Sequence, residues 1–124
     1  MGDVVWKKQD LNVLNELNGR KILIKGNHDN FDIELLLEYF EDIHGVLYKK
    51  GFIFSHFPVH EGSINPRFKG NIHGHTHSHV INDSRYFNVS VESPNRKLIG
   101  VPEVEPIDFD LIINYFNNKS QEEQ

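Results

Sequence analysis

The sequence predicts a mixed α/β fold, and three observations support this class. Short apolar segments of strand character alternate with amphipathic helical segments in the first half of the chain. Pairs of strand-like segments joined by short turns follow in the second half, and polar side chains stand directly after several strands. Strands alternating with helices and then forming hairpins are typical of a mixed α/β sheet. The 124 residues correspond to one domain over residues 1–119 and a polar tail at residues 120–124.

The first half predicts a helix, a strand and a second helix. Asp10 is placed to cap a helix that stops before Gly19, because leucines recur between them at helical spacing. Residues 21–25 form a short apolar run with β-branched side chains, which predicts a buried strand. Asp32 is placed to cap the second helix, and Gly45 to end it. The inward-facing positions expected for that helix are Leu35, Leu36, Tyr39, Phe40 and Ile43.

The second half predicts two hairpins, a short strand between them and a final helix. Residues 46–48 and 52–54 form strands around a turn that contains Gly51. Residues 71–73 form a brief strand, and residues 80–81 pair with residues 86–91 in a second hairpin. Asp108 then caps a helix. The apolar face expected for this helix consists of Phe109, Ile112, Ile113 and Phe116.

Side chains that can bind a metal ion recur after these strands. Four of the eight histidines occupy alternate positions within residues 71–79, and alternate side chains of an extended backbone point to one side. Nitrogen and oxygen donors without sulfur suit zinc, iron, nickel or manganese. The alternative is a histidine-rich surface loop without a ligand on a plain α/β domain. The five candidate metal ligands are Asp3, Asn27, His56, His75 and His77.

Four blocks of the sequence resemble the ordered motifs of the calcineurin-like metallophosphoesterases. The blocks are Gly2-Asp3, Gly26-Asn27-His28-Asp29, Ser55-His56 and Gly74-His75-Thr76-His77. The family pattern is D-x-H, GD, GNH-[DE], H and GHxH, and its first block has no counterpart here. The resemblance implies a four-layer α/β/β/α sandwich, N-terminally truncated, with a centre of two metal ions between the sheets.

The resemblance also implies a role for each candidate ligand. Asp3 would bridge both ions, Asn27, His56 and His75 would complete one of them, and His77 would bind the other. Because the Asp-x-His block would supply two further ligands, we expect at most one well-held ion in this chain, since a catalytic ion needs about three protein ligands.

Two further residues receive catalytic roles from the same resemblance. His28 would stabilise the transferring phosphoryl group or protonate the leaving oxygen, and Asp29 would orient His28. The implied reaction is hydrolysis of a phosphate mono- or diester, in a small molecule or a nucleotide, by a metal-bound hydroxide. The alternative is a truncated and catalytically impaired remnant of the fold that binds metal or oligomerises.

Composition restricts the partners. The formal net charge of −5 argues against an extended face for nucleic acid. No apolar run approaches the roughly 20 residues that a membrane span requires, and the first residues do not have the pattern of a signal peptide. The absence of cysteine fits a reducing compartment, and we expect a cytoplasmic protein. Strand edges exposed by the missing block would favour a homo-oligomer.

Overall fold

The computed structural model describes residues 20–27, 29–103 and 105–122. The helix expected after Asp10 lies outside these residues. Within these ranges, two short 3₁₀ helices, Glu61–Ser63 and Pro94–Ile99, accompany the main elements. In chain order those elements are β1 (Ile22–Ile24), α1 (Ile33–Leu36), β2 (Asp42–His44), β3 (Val46–Lys49), β4 (Phe52–Ser55), β5 (Gly70–His73), β6 (Tyr86–Asn88) and α2 (Phe109–Glu122).

The strands of the described residues form two sheets, and the predicted mixed α/β class is confirmed. β1 and β2 form a parallel pair, and the other four strands form a sheet in the order β3-β4-β5-β6. β3 and β4 are antiparallel, whereas β4, β5 and β6 run parallel. The first hairpin is confirmed, and its turn residues Lys50 and Gly51 both have positive φ, at 51° and 85°. Two such residues suit the tight turns that match strand twist.

One face of the four-stranded sheet packs on α2. Side chains alternate across a strand, so Phe54, Ile72 and Phe87, which are register partners, point to the same face. Ile112 and Phe116 of α2 pack on this face, and Phe116 meets Phe52 edge to face with ring centroids 4.9 Å apart. The predicted final helix is confirmed, and Asp108 accepts a hydrogen bond from the Asp110 N–H at 2.9 Å. The helix reaches Glu122, inside the segment expected to be a polar tail.

The opposite face of the same sheet is unusually polar. Ser55, His73 and Asn88 are register partners on β4, β5 and β6, and all three are buried. Asn71 is fully buried on the same face and donates to the Ile53 carbonyl at 2.9 Å. Buried polar groups need hydrogen-bond partners, so this face is suited to position loops by side-chain hydrogen bonds rather than by apolar contact.

The second predicted helix is wrong beyond its first turn. α1 ends at Leu36, the Asp32 side chain makes no capping hydrogen bond, and Ile43 lies in strand β2. The reason is that the backbone of β1 needs a partner: β2 pairs with it, and the ladder extends through a hydrogen bond from Lys25 N–H to the His44 carbonyl. The apolar side chains are nevertheless buried as expected, in a small core of Leu23, Leu36 and Phe40 with Phe31, Leu35, Tyr39 and Ile43 against it.

The second predicted hairpin is also wrong. Residues 80–81 form no strand, and β6 pairs in parallel with β5. The segment before β6 is held as a loop because the Asn88 side chain binds the carbonyls of His77 and His79. No helix among the described residues is long and apolar enough to cross a membrane.

Candidate metal centre

Two of the predicted metal ligands, Asn27 and His75, both contact a third, His56. The Nε2 atom of His56 lies 2.9 Å from the Oδ1 atom of Asn27 and 3.2 Å from the Nδ1 atom of His75. These residues are 29 and 19 positions apart in the chain. Asn27 follows β1, His56 follows β4 and His75 lies just beyond β5, so loops at the carboxyl ends of one strand of the two-stranded sheet and two parallel strands of the four-stranded sheet supply the three donor atoms. We refer to Asn27, His56 and His75 as the donor trio.

Backbone hydrogen bonds hold the loops that carry the trio. The Gly26 N–H donates to the Oδ2 atom of Asp29 at 2.7 Å, which closes a turn directly after β1. The Gly74 N–H donates to the His56 carbonyl at 3.0 Å and joins the loops after β4 and β5. His56 is 4% exposed, whereas Asn27 and His75 are exposed. The trio therefore has a buried base and an accessible opening.

The trio has the chemistry and spacing of a partial metal-binding site. Oδ1 of Asn27 and one ring nitrogen of each neutral histidine carry lone pairs, and a single N–H from the His56 ring can serve only one of the two contacts well. Ligands about 2.1 Å from a zinc-like ion are separated by about 3.0–3.4 Å at octahedral or tetrahedral angles. The His56–His75 separation of 3.2 Å lies within that range, and the His56–Asn27 separation of 2.9 Å lies just below it. The residues present therefore fit a divalent cation.

The loop after β5 has an uncommon backbone conformation. His75 and His77 have φ values of 65° and 52°, in the left-handed region that non-glycine residues seldom occupy. Each such residue costs of order 1–3 kcal/mol and persists when its surroundings enforce it. The ring of Phe57 packs against the His75 ring at a centroid distance of 4.3 Å and against the His56 ring at 5.1 Å.

His77 lies apart from the trio. Its side chain is 79% exposed, and its Nδ1 atom lies 2.6 Å from the Oε1 atom of Glu92. Within residues 20–27, 29–103 and 105–119, no three His, Asp or Glu side chains form a group that could hold one metal ion. His77 therefore does not form a ligand group for one metal ion together with His56 and His75. A ring nitrogen that donates to a carboxylate leaves the other nitrogen free as a ligand.

Asn88 is a buried residue that determines the shape of the histidine loop. Its Nδ2 group donates to the Thr76 hydroxyl at 2.9 Å, to the His77 carbonyl at 2.8 Å and to the His79 carbonyl at 3.0 Å. Its own N–H donates to Oδ1 of Asn95 at 2.9 Å. Sequence reasoning missed Asn88 and Glu92 because isolated polar residues on a strand or in a loop carry no local signal; only their position after the histidine motif could have drawn attention to them.

His73 is buried beneath the histidine loop. Its Nδ1–H donates to the Gly74 carbonyl at 2.9 Å, and its Nε2 atom has no hydrogen-bond partner among the described residues. Burial lowers the pKa of His73 below 6.5, against the opposing effect of the Gly74 carbonyl. The lowered pKa favours the neutral form of the ring.

The remaining predicted site residues divide into two groups. Asp3 and His28 lie outside the described residues. Asp29 is 1% exposed, and its carboxylate closes the turn after β1.

The chain has no match among protein-family models, curated proteins or solved structures. The assignment to a family is therefore a proposal that depends on the motifs and on the geometry of the trio.

Proposed function

We propose that this chain is a metal-dependent phosphoesterase of the calcineurin-like type, which hydrolyses a phosphate mono- or diester. The observation that carries the proposal is the convergence of Asn27, His56 and His75, with donor atoms 2.9 and 3.2 Å apart. The motif resemblance assigns these same three residues to one ion, and it does so without knowledge of their distances. The agreement between motif and geometry is what supports this function over a histidine-rich surface loop.

Each candidate metal ligand would have a distinct role in this function. Asn27, His56 and His75 would hold one divalent cation of manganese, iron, zinc or nickel, and Asp3 would add a carboxylate. His77, oriented by Glu92, would face a second ion. A bound cation of this kind supplies an activated water and neutralises charge on the phosphate. A trio of neutral donors would leave most of the positive charge of the cation available to the anionic substrate.

In this proposal, His28 and Asp29 would be responsible for proton transfer to the leaving oxygen. His28 would donate a proton to the leaving oxygen or stabilise the transferring phosphoryl group. The buried carboxylate of Asp29 holds the Gly26 N–H and so keeps the turn after β1 closed beside Asn27. This anchoring would keep a ligand and a proton donor at fixed positions relative to each other, as a base and its orienting partner require.

The proposed fold is the four-layer α/β/β/α sandwich. Two observations support it: α1 packs on β1 through the core around Leu36, and α2 packs on the four-stranded sheet through the core around Phe116. Each sheet then has one helical layer of its own. The Asn27–His56 contact joins the loops after β1 and β4, at the place where the two sheets would face each other.

Calorimetric titration with MnCl₂ and a hydrolysis assay test the proposal together. The wild-type chain should bind manganese and hydrolyse p-nitrophenyl phosphate or bis(p-nitrophenyl) phosphate. Loss of an outer-sphere partner typically weakens metal binding by about 10- to 100-fold. His56→Ala removes a proposed direct ligand, so it should weaken manganese binding by more than this and should abolish hydrolysis. His44→Ala is the matched control, because His44 lies on β2 and pairs with Asp42. Equal manganese binding by both variants would contradict the proposal.

A second candidate is a metal-binding or oligomerising module without turnover. It is favoured by β3, which lies at the edge of the four-stranded sheet and exposes 42% of Val46 and 63% of Tyr48. An edge strand with apolar side chains can pair with another chain. Tight manganese binding and a dimer in light scattering, without hydrolysis of either ester, would favour this module over the enzyme.

A further inference from the structure

Phe57 is an exposed aromatic residue at the opening of the donor trio. Its side chain is 49% exposed, whereas its chain neighbours Ser55 and His56 are 4% exposed. The Phe57 ring contacts the rings of His75 and His56, with centroids 4.3 and 5.1 Å away. An exposed phenyl ring in contact with two candidate ligands is well placed to meet the organic part of a substrate whose phosphate lies at the trio.

The backbone around Phe57 is held by the polar face of the sheet. Ser55 Oγ donates to the Phe57 carbonyl at 2.6 Å, and Asn71 donates to the same Ser55 Oγ at 3.0 Å. The Val59 N–H donates to Oδ1 of Asn71 at 2.9 Å, and the Tyr86 hydroxyl donates to the Val59 carbonyl at 2.6 Å. Strands β4, β5 and β6 thus each contribute one anchoring side chain. The backbone that carries the Phe57 ring is therefore anchored, and little backbone freedom is lost when a ligand stacks on the ring.

We propose that Phe57 is a stacking platform that selects phosphate esters with a planar aromatic ring, such as the base of a nucleotide, over esters of small aliphatic alcohols. This inference rests on the proposed function. Aromatic stacking tolerates any base, because every base has a flat face. Phe57 also carries no polar group that could read a base edge. The expected selectivity is therefore for the presence of a ring and not for the identity of the base.

Two pairs of substrates with matched reacting groups test the platform in manganese buffer. Thymidine 5′-(ethyl phosphate) and diethyl phosphate can both release ethanol, and only the first carries an aromatic ring. Thymidine 5′-monophosphate and glycerol 3-phosphate form the corresponding monoester pair, measured by phosphate release. Phe57→Ala should lower kcat/KM for the thymidine ester by about 5- to 150-fold, the range expected from losing one stacked base. The aliphatic ester should change by less than about threefold, since it makes no stacking contact.

Control variants separate stacking from other effects. Phe57→Trp should retain the preference. Tyr48→Ala should leave it unchanged, because Tyr48 is another exposed ring, on β3, that stacks on Phe68. Retained hydrolysis of the aliphatic ester by Phe57→Ala shows that the variant is folded. An equal loss on both esters would mean that Phe57 only supports His75 and would overturn the platform alone. No hydrolysis of any ester by the wild type would overturn the proposed function and the platform with it.

Discussion

Substitution of Asn88 by aspartate is the sharpest test of how the histidine loop is held. Asparagine and aspartate have nearly the same shape, so the change removes two N–H donors and adds a charge without leaving a cavity. The Asn88 Nδ2 group faces three acceptors, the Thr76 hydroxyl and the carbonyls of His77 and His79, at 2.8–3.0 Å. In the variant a carboxylate oxygen would face these acceptors, and two of them have no proton to offer.

The cost follows from the burial of the group. Asn88 is fully buried, and a buried group left unsatisfied costs about 1–3 kcal/mol. His77 and His79 are exposed residues, so water can reach part of their carbonyls and the lower end of the range applies to each. Two lost hydrogen bonds and a buried charge then sum to about 2–4 kcal/mol in the free energy of unfolding. This is a large fraction of the about 5–15 kcal/mol typical of a domain.

Urea denaturation of the metal-free protein and manganese titration measure the two consequences. We expect Asn88→Asp to lower the urea midpoint and to weaken manganese binding by about 10- to 100-fold, because the loop that carries His75 loses its anchor. Asn114→Asp, an exposed substitution on α2, controls for the added charge. A variant with the wild-type midpoint and affinity would refute the assignment of Asn88 as the residue that shapes the loop.

Two further substitutions test the packing and the electrostatics of β5 and β6. Gly70→Ala should lower the free energy of unfolding, measured in urea, by about 1–3 kcal/mol, since a Cβ there would lie 2.6 Å from the Arg85 carbonyl oxygen and 2.8 Å from the Phe116 ring. Gly45→Ala is the control and should be neutral, because a Cβ there has nothing within 4 Å. Equal effects of the two substitutions would contradict the close packing at Gly70. Hydrogen bonds from Arg85 lower the pKa of Asp83 from 3.8 to about 2. Because the pKa of Asp83 is lowered in the folded state, its carboxylate stabilises the fold above pH 4, and Asp83→Asn should lower the free energy of unfolding by up to about 1 kcal/mol at pH 7. This loss of stability relative to the wild type should shrink as the pH falls from 4 to 2, which urea midpoints at each pH would show. A deficit that grows on acidification would contradict this sign.

The elements that were predictable from the sequence are those whose signal is local. Asp108 and the apolar spacing of α2 define a helix within one window, and its capping hydrogen bond is present. The turn at Lys50 and Gly51 contains a glycine between two β-branched or aromatic runs, and the hairpin forms there. In both cases every contact needed for the prediction lies within a few residues along the chain.

The elements that were not predictable depend on a distant partner. Ile43 fits a helical face by spacing, yet it is part of β2, because β1 needs a neighbour for its backbone groups. Residues 86–88 were expected to pair with the adjacent residues 80–81, yet they pair with β5. The Asn88 side chain donates hydrogen bonds back to Thr76, His77 and His79, and a prediction from local propensity does not include such contacts.

At the candidate site too, the residues could be named from local motifs, whereas their arrangement in space could not be predicted. The motifs named Asn27, His56 and His75, but nothing in their spacing requires that their donor atoms meet. The loop around them also gathers features that each cost stability: positive φ at His75 and His77, and a buried His73 Nε2 without a partner among the described residues. The packed cores of the same structure contain none of these features among their buried residues. Such local costs are often found at functional sites, so their concentration here supports the candidate site by an argument that is separate from the motif resemblance.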